Sequence, residues 1–370
     1  MNILRRLPLS RLLLLCTLVV AVGVSATALA SALGSSPTPA PAPLPVAVHD
    51  ALAAPPVDGV SASVKLTNHL LEGANLASGG GEASQLSSSP LLSGASGRLW
   101  IAKDGRVRLE LQAERGDTQL LYDGHTLKLY DASTNTLYQY AVPSHEGSGE
   151  TDSDAAQDSA RTHEPPSVDK IEEAISHLQQ HAHVSGALPT DVAGQPAYTV
   201  RISPNEGGSL LGAVELSWDA VRGVPLRAAV YSSSSSAPVI ELAASSISYG
   251  AVDGSVFDFT PPPGVKVEDV RASREGGDGS ERTAGEHPKL TTHGHGVSTI
   301  AVLESKSGTG SKAPSSPLPA GSPKVNLGGL SASELATPLG TLLSFERSGV
   351  TYLLAGSVTP SSIEAVARGL

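Results

Sequence analysis

"RLWIAKDGRVRLEL", residues 98–111, decides how this chain folds. Asp104-Gly105 lies between two runs that alternate apolar and polar residues. Asp-Gly suits the two central positions of a tight type I′ turn, where both φ angles are positive. A two-residue turn here pairs Trp100 with Leu109 and Ala102 with Val107. Side chains alternate faces along a strand, so Trp100, Ala102, Val107, Leu109 and Leu111 share one apolar face. Leu99, Ile101, Arg108 and Glu110 share the other. "TQLLYDGHTLKLY", 118–130, repeats the device around Asp123-Gly124 and puts Leu120, Tyr122, Leu127 and Leu129 on an apolar face.

The alternation runs from Val57 to Val270. In 212–231, Val214, Leu216 and Trp218 alternate with Glu215 and Ser217, and Leu226, Ala228 and Val230 with Arg227. "PVIELAASSISY", 238–249, starts with Ile240 and Leu242 on one face and changes parity before Ile247 and Tyr249, which predicts a β-bulge. With 61–71 and 195–203, roughly nine to eleven strands result, and an open antiparallel sheet of that size curls. "EPPSVDKIEEAISHLQQHAHV", 164–184, predicts a helix capped by Ser167, with Ile171, Ile175 and Leu178 on an apolar stripe that can lie over the sheet as a lid. "SVFDFTPPPGVKV", 255–267, sets Phe257 and Phe259 just before Pro261 to Pro263, a run that cannot pair in a sheet, and reads as the close of the curved sheet.

The 370 residues carry 36 acidic against 25 basic side chains, a net charge of −11, which argues against a nucleic-acid partner. Cys16 is the only cysteine, so the rest of the chain has no disulfide, thiolate metal site or thiol nucleophile. Leu15 stands where a lipoprotein signal carries a small residue, and Cys16 therefore reads as apolar filler. Arg5, Arg6 and Arg11 precede an uncharged stretch from Leu12 to Gly34. Residues 1–34 thus form either a signal peptide cut after Ala28-Leu29-Ala30 or a membrane anchor. Both place the remainder on the outer side of the cytoplasmic membrane, anchored there or released to the envelope. Residues 35–56 read as a Pro/Ala-rich spacer and 57–270 as the sheet domain, with an acidic loop at 144–164. Residues 271–295 read as a linker. Residues 296–370 form a small β-β-α module with a Gly/Ser/Pro-rich loop at 304–328, its helix begun by Thr359 and Pro360.

No nucleophile elbow, zinc-protease motif or phosphate loop occurs, and the chain is not read as an enzyme. "SGTGSKA", 307–313, has the wrong spacing for a phosphate loop. His177 and His181 stand one helical turn apart, and His293 and His295 share a Gly-flanked loop. Both pairs read as solvated surface, with neither metal nor cofactor implied.

The ordered set resembles the LolA/LolB-like lipoprotein carriers of the outer membrane and the related RseB/MucB sensors. It comprises "GRLWIAKDGRVRLEL" with "TQLLYDGHTLKLYDASTNTLYQY", then the helix, "ELSWDAVRGVPLRAAVY" at 215–231 and "VFDFTPPPGVKV" at 256–267. The C-terminal module is similar to one in carrier-like exported proteins of high-GC Gram-positive bacteria. The resemblance implies an α+β fold: an incomplete β-barrel with a helical lid over a hydrophobic cavity. The partner it implies is a lipid or acylated lipoprotein. In the sensor version an anti-sigma factor's exported segment is bound as well, and is released when lipoprotein accumulates. The apolar faces named above are then the cavity lining, Phe257 and Phe259 end the last strand against the core, and Pro261 to Pro263 keep that edge from pairing with another chain.

Overall fold

The computed structural model describes residues 38–72, 89–114, 116–142, 165–270, 289–306, 318–319 and 321–370. The N-terminal apolar run and the acidic loop 144–164 lie outside the described residues. No helix among the described residues is long and apolar enough to cross a membrane.

The fold is α+β, an incomplete barrel. Its strands are β1 (Gly59–Asn68), β2 (Ala95–Ala102), β3 (Val107–Ala113), β4 (Gly116–Tyr122), β5 (Thr126–Asp131) and β6 (Thr136–Ala141). They continue as β7 (Ala182–Val184), β8 (Leu188–Val192), β9 (Gln195–Pro204), β10 (Leu211–Asp219), β11 (Pro225–Ser232), β12 (Pro238–Tyr249) and β13 (Lys266–Asp269). These 13 strands make one unclosed sheet in the order β13-β6-β5-β4-β3-β2-β1-β12-β11-β10-β9-β7, with β8 also on β9. The bulge expected in β12 is present: Ser63 pairs Ser246 while Val64 pairs Ala244, so Ser245 is the extra residue.

Among the described residues, three α-helices accompany this sheet. They are α1 (Leu44–Ala53), the single-turn α2 (Pro90–Ser93) and α3 (Val168–Gln179). Ser167 caps α3, its side chain accepting from the Lys170 amide at 3.4 Å. Helix α1 lies within the stretch 35–56 read as a Pro/Ala-rich spacer. Its sequence, LPVAVHDALA, has proline only at its start, where no amide partner is lost, and Leu44 and Ala47 are buried in it.

The first hairpin departs from the expected register by one residue. Ile101 faces Val107 and Leu99 faces Leu109, so Trp100 pairs with Arg108 rather than Leu109. The loop spans three residues rather than two: the Ala102 amide donates to Arg106 O at 2.9 Å and the Gly105 amide to Ala102 O at 3.0 Å. Gly105 takes the left-handed position (φ +85°), and the Asp104 carboxylate accepts from the Arg106 amide at 3.2 Å. A shift of one exchanges faces: Leu99 and Ile101 join Val107, Leu109 and Leu111, while Trp100 and Ala102 go to the opposite side. In the second hairpin Asp123 Oδ1 accepts from the His125 and Thr126 amides at 3.0 and 2.7 Å. Its loop therefore moves to Gly124-His125, and Tyr122 faces Leu127. That shift is two residues, and the faces stay as read.

Phe257 and Phe259 are not at the end of a strand. Phe257 closes a 3₁₀ turn, Gly254–Phe257, and the segment then crosses the outside of β3 to β5. Arg108 Nη1 donates to Val256 O at 2.7 Å and Asp258 O at 3.1 Å. Phe259 packs on Tyr130, ring centroids 5.7 Å apart, and the Arg106 guanidinium lies 4.8 Å from the Phe257 ring centroid. The prolines do not end pairing. They carry the chain around to β13, which runs parallel to β6 and covers its edge.

The C-terminal module is larger than the expected β-β-α unit. Strands β14 (Lys289–His293), β15 (Ile300–Lys306), β16 (Lys324–Asn326), β17 (Ser331–Thr337), β18 (Gly340–Arg347) and β19 (Val350–Gly356) form a second sheet, followed by α4 (Pro360–Gly369). Strand β14 falls in the stretch read as linker, and β16 in the stretch read as loop. Ile363 and Ala367 of α4 are buried against Val302, Leu343 and Leu354. Thr359 occupies the N-cap position of α4 but its hydroxyl bonds Ser361 and Ser362 instead of a backbone amide.

Phe259→Ala is expected to lower unfolding free energy by about 2 kcal/mol, measured by urea denaturation. The loss should not add to that of Tyr130→Ala, since the two rings touch. Additive losses would show that the crossing segment is not held by this contact.

Candidate functional site

Strand pairing fixes which side chains share a face. Tyr198 and Val200 of β9 stand opposite Trp218 and Leu216 of β10. Leu216 stands opposite Ala228 and Val214 opposite Val230 of β11. Ala228 and Val230 meet Leu242 and Ile240 of β12, and Leu242 meets Leu66 of β1. The bulge at Ser245 resets parity, so that Ile247 and Tyr249 join Ala62 and Val60 on the same face. Ala62 stands opposite Leu99 of β2, Leu99 opposite Leu109 of β3 and Leu109 opposite Leu120 of β4. Leu120 and Tyr122 then meet Leu129 and Leu127 of β5, which meet Tyr138 and Tyr140 of β6. One apolar face thus runs unbroken from β9 to β6, and we call it the inner face.

Its cover is uneven. At the β9 and β10 end, Leu44 and Ala47 of α1 pack on Tyr198, Val200 and Trp218, with Ile175 of α3 at the margin. Ile171 is buried, and Leu178 is 39% exposed. The space beneath the expected lid helix is therefore filled, because α1 lies there. Trp218 is 5% exposed and its indole N–H has no acceptor among the described residues. Along the midline Val60, Ala62, Val64 and Leu111 are buried, packed with Leu91 of α2 and with Val224.

Val224 belongs to the turn after β10, which Asp219 holds shut. That carboxylate is fully buried. It accepts from the Tyr249 hydroxyl at 2.6 Å and from the Val221 and Arg222 amides at 2.8 and 2.9 Å. Burial opposes its ionisation, but these hydrogen bonds outweigh burial and keep its pKa below the usual carboxylate range. Burial and the adjacent Asp219 carboxylate push the Tyr249 hydroxyl well above its ordinary value.

On either side of the buried midline the described residues cover the inner face only in part. Leu216 is 40% and Val214 38% exposed, and Val230, Ile240 and Leu242 are half-buried. On the other wing Val107, Leu109, Leu120, Tyr122, Leu127 and Leu129 are all half-buried. Leu226 is buried, at 3% exposure. Of the residues expected on this face, Trp100 and Ala102 lie elsewhere, and Leu226 falls at a bulge between β10 and β11 where no pairing sets its side. Sequence reading missed Leu66, Leu99 and Ile101 on it, and also Tyr138 and Tyr140, whose alternation in "TLYQY" is a legible signal. A cleft of about 730 Å³ opens where β1 and β3 end and β2 begins, between Leu66, Asn68, Gly94 and Ala113.

The outer face is held by charge. Glu215 receives Arg201 and Arg227, each at 2.8 Å, and the Tyr231 hydroxyl at 2.7 Å; Arg227 also bonds Glu241. Burial opposes ionisation of Glu215, but its hydrogen bonds from Arg227, Arg201 and Tyr231 prevail and lower its pKa to about 2. His177 on α3 and His181 in the turn after it are exposed, and His295 lies 3.3 Å from Glu206.

No family model matches the chain, and no curated protein matches it. Similar folds occur among solved structures. The MucA/MucB complex of Pseudomonas aeruginosa gives 14% identity over 87% of this chain and 94% of that one, with a TM-score of 0.41. MucB alone gives 13% identity over 88% and 95%, with a TM-score of 0.38. A LolA superfamily protein from Nitrosomonas europaea gives 10% identity over 85% and 90%, with a TM-score of 0.19.

Two outcomes check this geometry. Leu111→Ala removes a side chain 2% exposed and should cost about 2–5 kcal/mol, whereas Leu216→Ala should cost under about 1 kcal/mol in the same urea titration. Equal losses would mean that Leu216 is core. For Glu215, a carboxyl with a lowered folded-state pKa adds stability that is fully present above its unfolded value and lost as pH falls through the folded one. Its contribution should therefore fade between pH 4.5 and about 2, and Glu215→Gln should flatten that limb of the stability curve. An unchanged acid limb would contradict the assignment.

Proposed function

We propose that the chain is an exported, non-enzymatic binding protein whose inner face takes the acyl chains of a lipid or acylated protein. The observation that carries this is the continuous apolar face with uncovered wings, Leu216 and Val214 on one side and Leu120, Leu127 and Leu129 on the other. A sheet with a fully packed side leaves no such residues half-exposed, and an uncovered apolar surface in water has a free-energy cost that a bound hydrocarbon chain relieves. The positive N-terminus followed by an apolar run supports export. The resemblance carried by the ordered sequence motifs points the same way.

A second reading, a sensor that also binds an anti-sigma factor, is favoured by the way the second module is attached. The Leu210 amide donates to Ser357 O at 2.8 Å, Ser209 forms a bridge with Val358, and Leu71 packs against the cluster of Leu318 and Leu335. These contacts sit at the start of β10 and just past the end of β1, so they could relay occupancy of the inner face to a partner.

Titration with a fluorescent fatty acid tests the binding reading. Saturable binding is expected, weakened about tenfold or more by Leu216→Asp or Leu120→Asp, with thermal melts within a few degrees of wild type. Absence of binding, or binding indifferent to both substitutions, would contradict it. Recovery of a single-span anti-sigma protein from native membranes, lost on adding acylated peptide, would select the sensor.

A further inference from the structure

The register of the first hairpin leaves Trp100 on the outer face. There it is half-exposed and makes no hydrogen bond among the described residues. An aromatic ring left partly in water on a polar sheet face calls for a reason. Its surroundings form a groove of about 400 Å³ with Arg98 and four serines, Ser61, Ser63, Ser246 and Ser248. A second space of about 560 Å³ adjoins it, sharing Ser63 and Arg98 and adding Lys65. Arg98 and Lys65 are exposed and have no carboxylate partner among the described residues. Glu110 faces Arg98 across the ladder but is taken by Arg108 at 2.6 Å. In a chain of net charge −11, the groove sets Arg98 beside one aromatic ring, with Lys65 in the adjoining space.

We propose that this groove is a glycan-binding site for carboxylated saccharides, separate from the inner face. A pyranose ring presents one face of C–H groups, which packs on the flat indole. Its hydroxyls find serine partners that both donate and accept. Ser248 donates to Ser61 O at 3.2 Å, which leaves its own oxygen free to accept from the sugar. A uronate carboxylate on the next ring meets Arg98 and Lys65, and Arg98 can hold it with two parallel hydrogen bonds. Other ligand classes fit less well. Strand β1 is paired on both sides, by β2 and β12, so an extended peptide has no edge to join. Acyl chains gain nothing from a hydroxyl-lined surface.

The test is calorimetric titration of the exported chain with hexagalacturonate and, separately, maltohexaose. Galacturonate should bind and maltohexaose at least about tenfold more weakly, with the galacturonate affinity falling as salt is raised. Trp100→Ala should reduce galacturonate binding about tenfold or more. Trp100→Phe should retain most of it, which separates stacking from misfolding. Arg98→Gln should abolish the preference for galacturonate over maltohexaose. Fatty-acid binding should stay at the wild-type level in all three variants. No galacturonate binding, equal binding of the two sugars, or binding unchanged in Trp100→Ala would each overturn the proposal.

Discussion

The structure depends on one constraint, the parity of strand pairing. A sheet side chain belongs to one face or the other, and a slip of one residue moves a whole strand's set across. From β9 to β6 the pairings keep apolar residues in line, and the break of phase within β12 is absorbed by a bulge. Were Ser245 held in regular register instead of bulged, Ile247 and Tyr249 would face outward. Tyr249 would then no longer reach Asp219, and the turn that roofs Val60 would lose its anchor. A single inserted serine thus joins the long-range pairing of β1 with β12 to the local closure of the β10–β11 turn.

The two faces are stabilised differently. The outer face adds directed bonds to the burial of Leu121, Leu137, Ala213 and Ala229: Arg108 holds the 254–259 crossing, and the Glu215, Arg227 and Glu241 network ties β10, β11 and β12 together. The inner face relies on burial, and burial is complete only along the midline and beneath α1. Rigidity supplied from outside lets the wings of the inner face stay uncovered without the sheet losing its shape. An apolar surface on such a frame is suited to a guest that brings its own hydrophobic area.

Much of this was legible in the residues. Alternation identified the strands, the parity change identified the bulge, and the helical stripe with Ser167 identified α3. Three features were hidden for physical reasons. Asp-Gly is compatible with loops of different lengths, and side-chain bonds from Asp104 and Asp123 to following amides, which no periodicity reveals, chose the longer loop in one hairpin and moved the loop in the other. Helix α1 lies in a Pro/Ala-rich stretch whose composition reads as spacer, and it is stable because Leu44 and Ala47 find Trp218 and Tyr198 far along the chain. Phe257 and Phe259 read as strand residues, but what holds them is packing against Arg106 and Tyr130, contacts set by tertiary structure alone.

The central claim is that the open wings of the inner face hold hydrocarbon chains. Its most direct test is native mass spectrometry of the protein purified without detergent from the cells that make it. The account predicts a mass excess that matches lipid or an acylated chain, is released by organic solvent and is lost in Leu216→Asp. A bare polypeptide mass, unchanged by that substitution and by prior incubation with lipid vesicles, would contradict it.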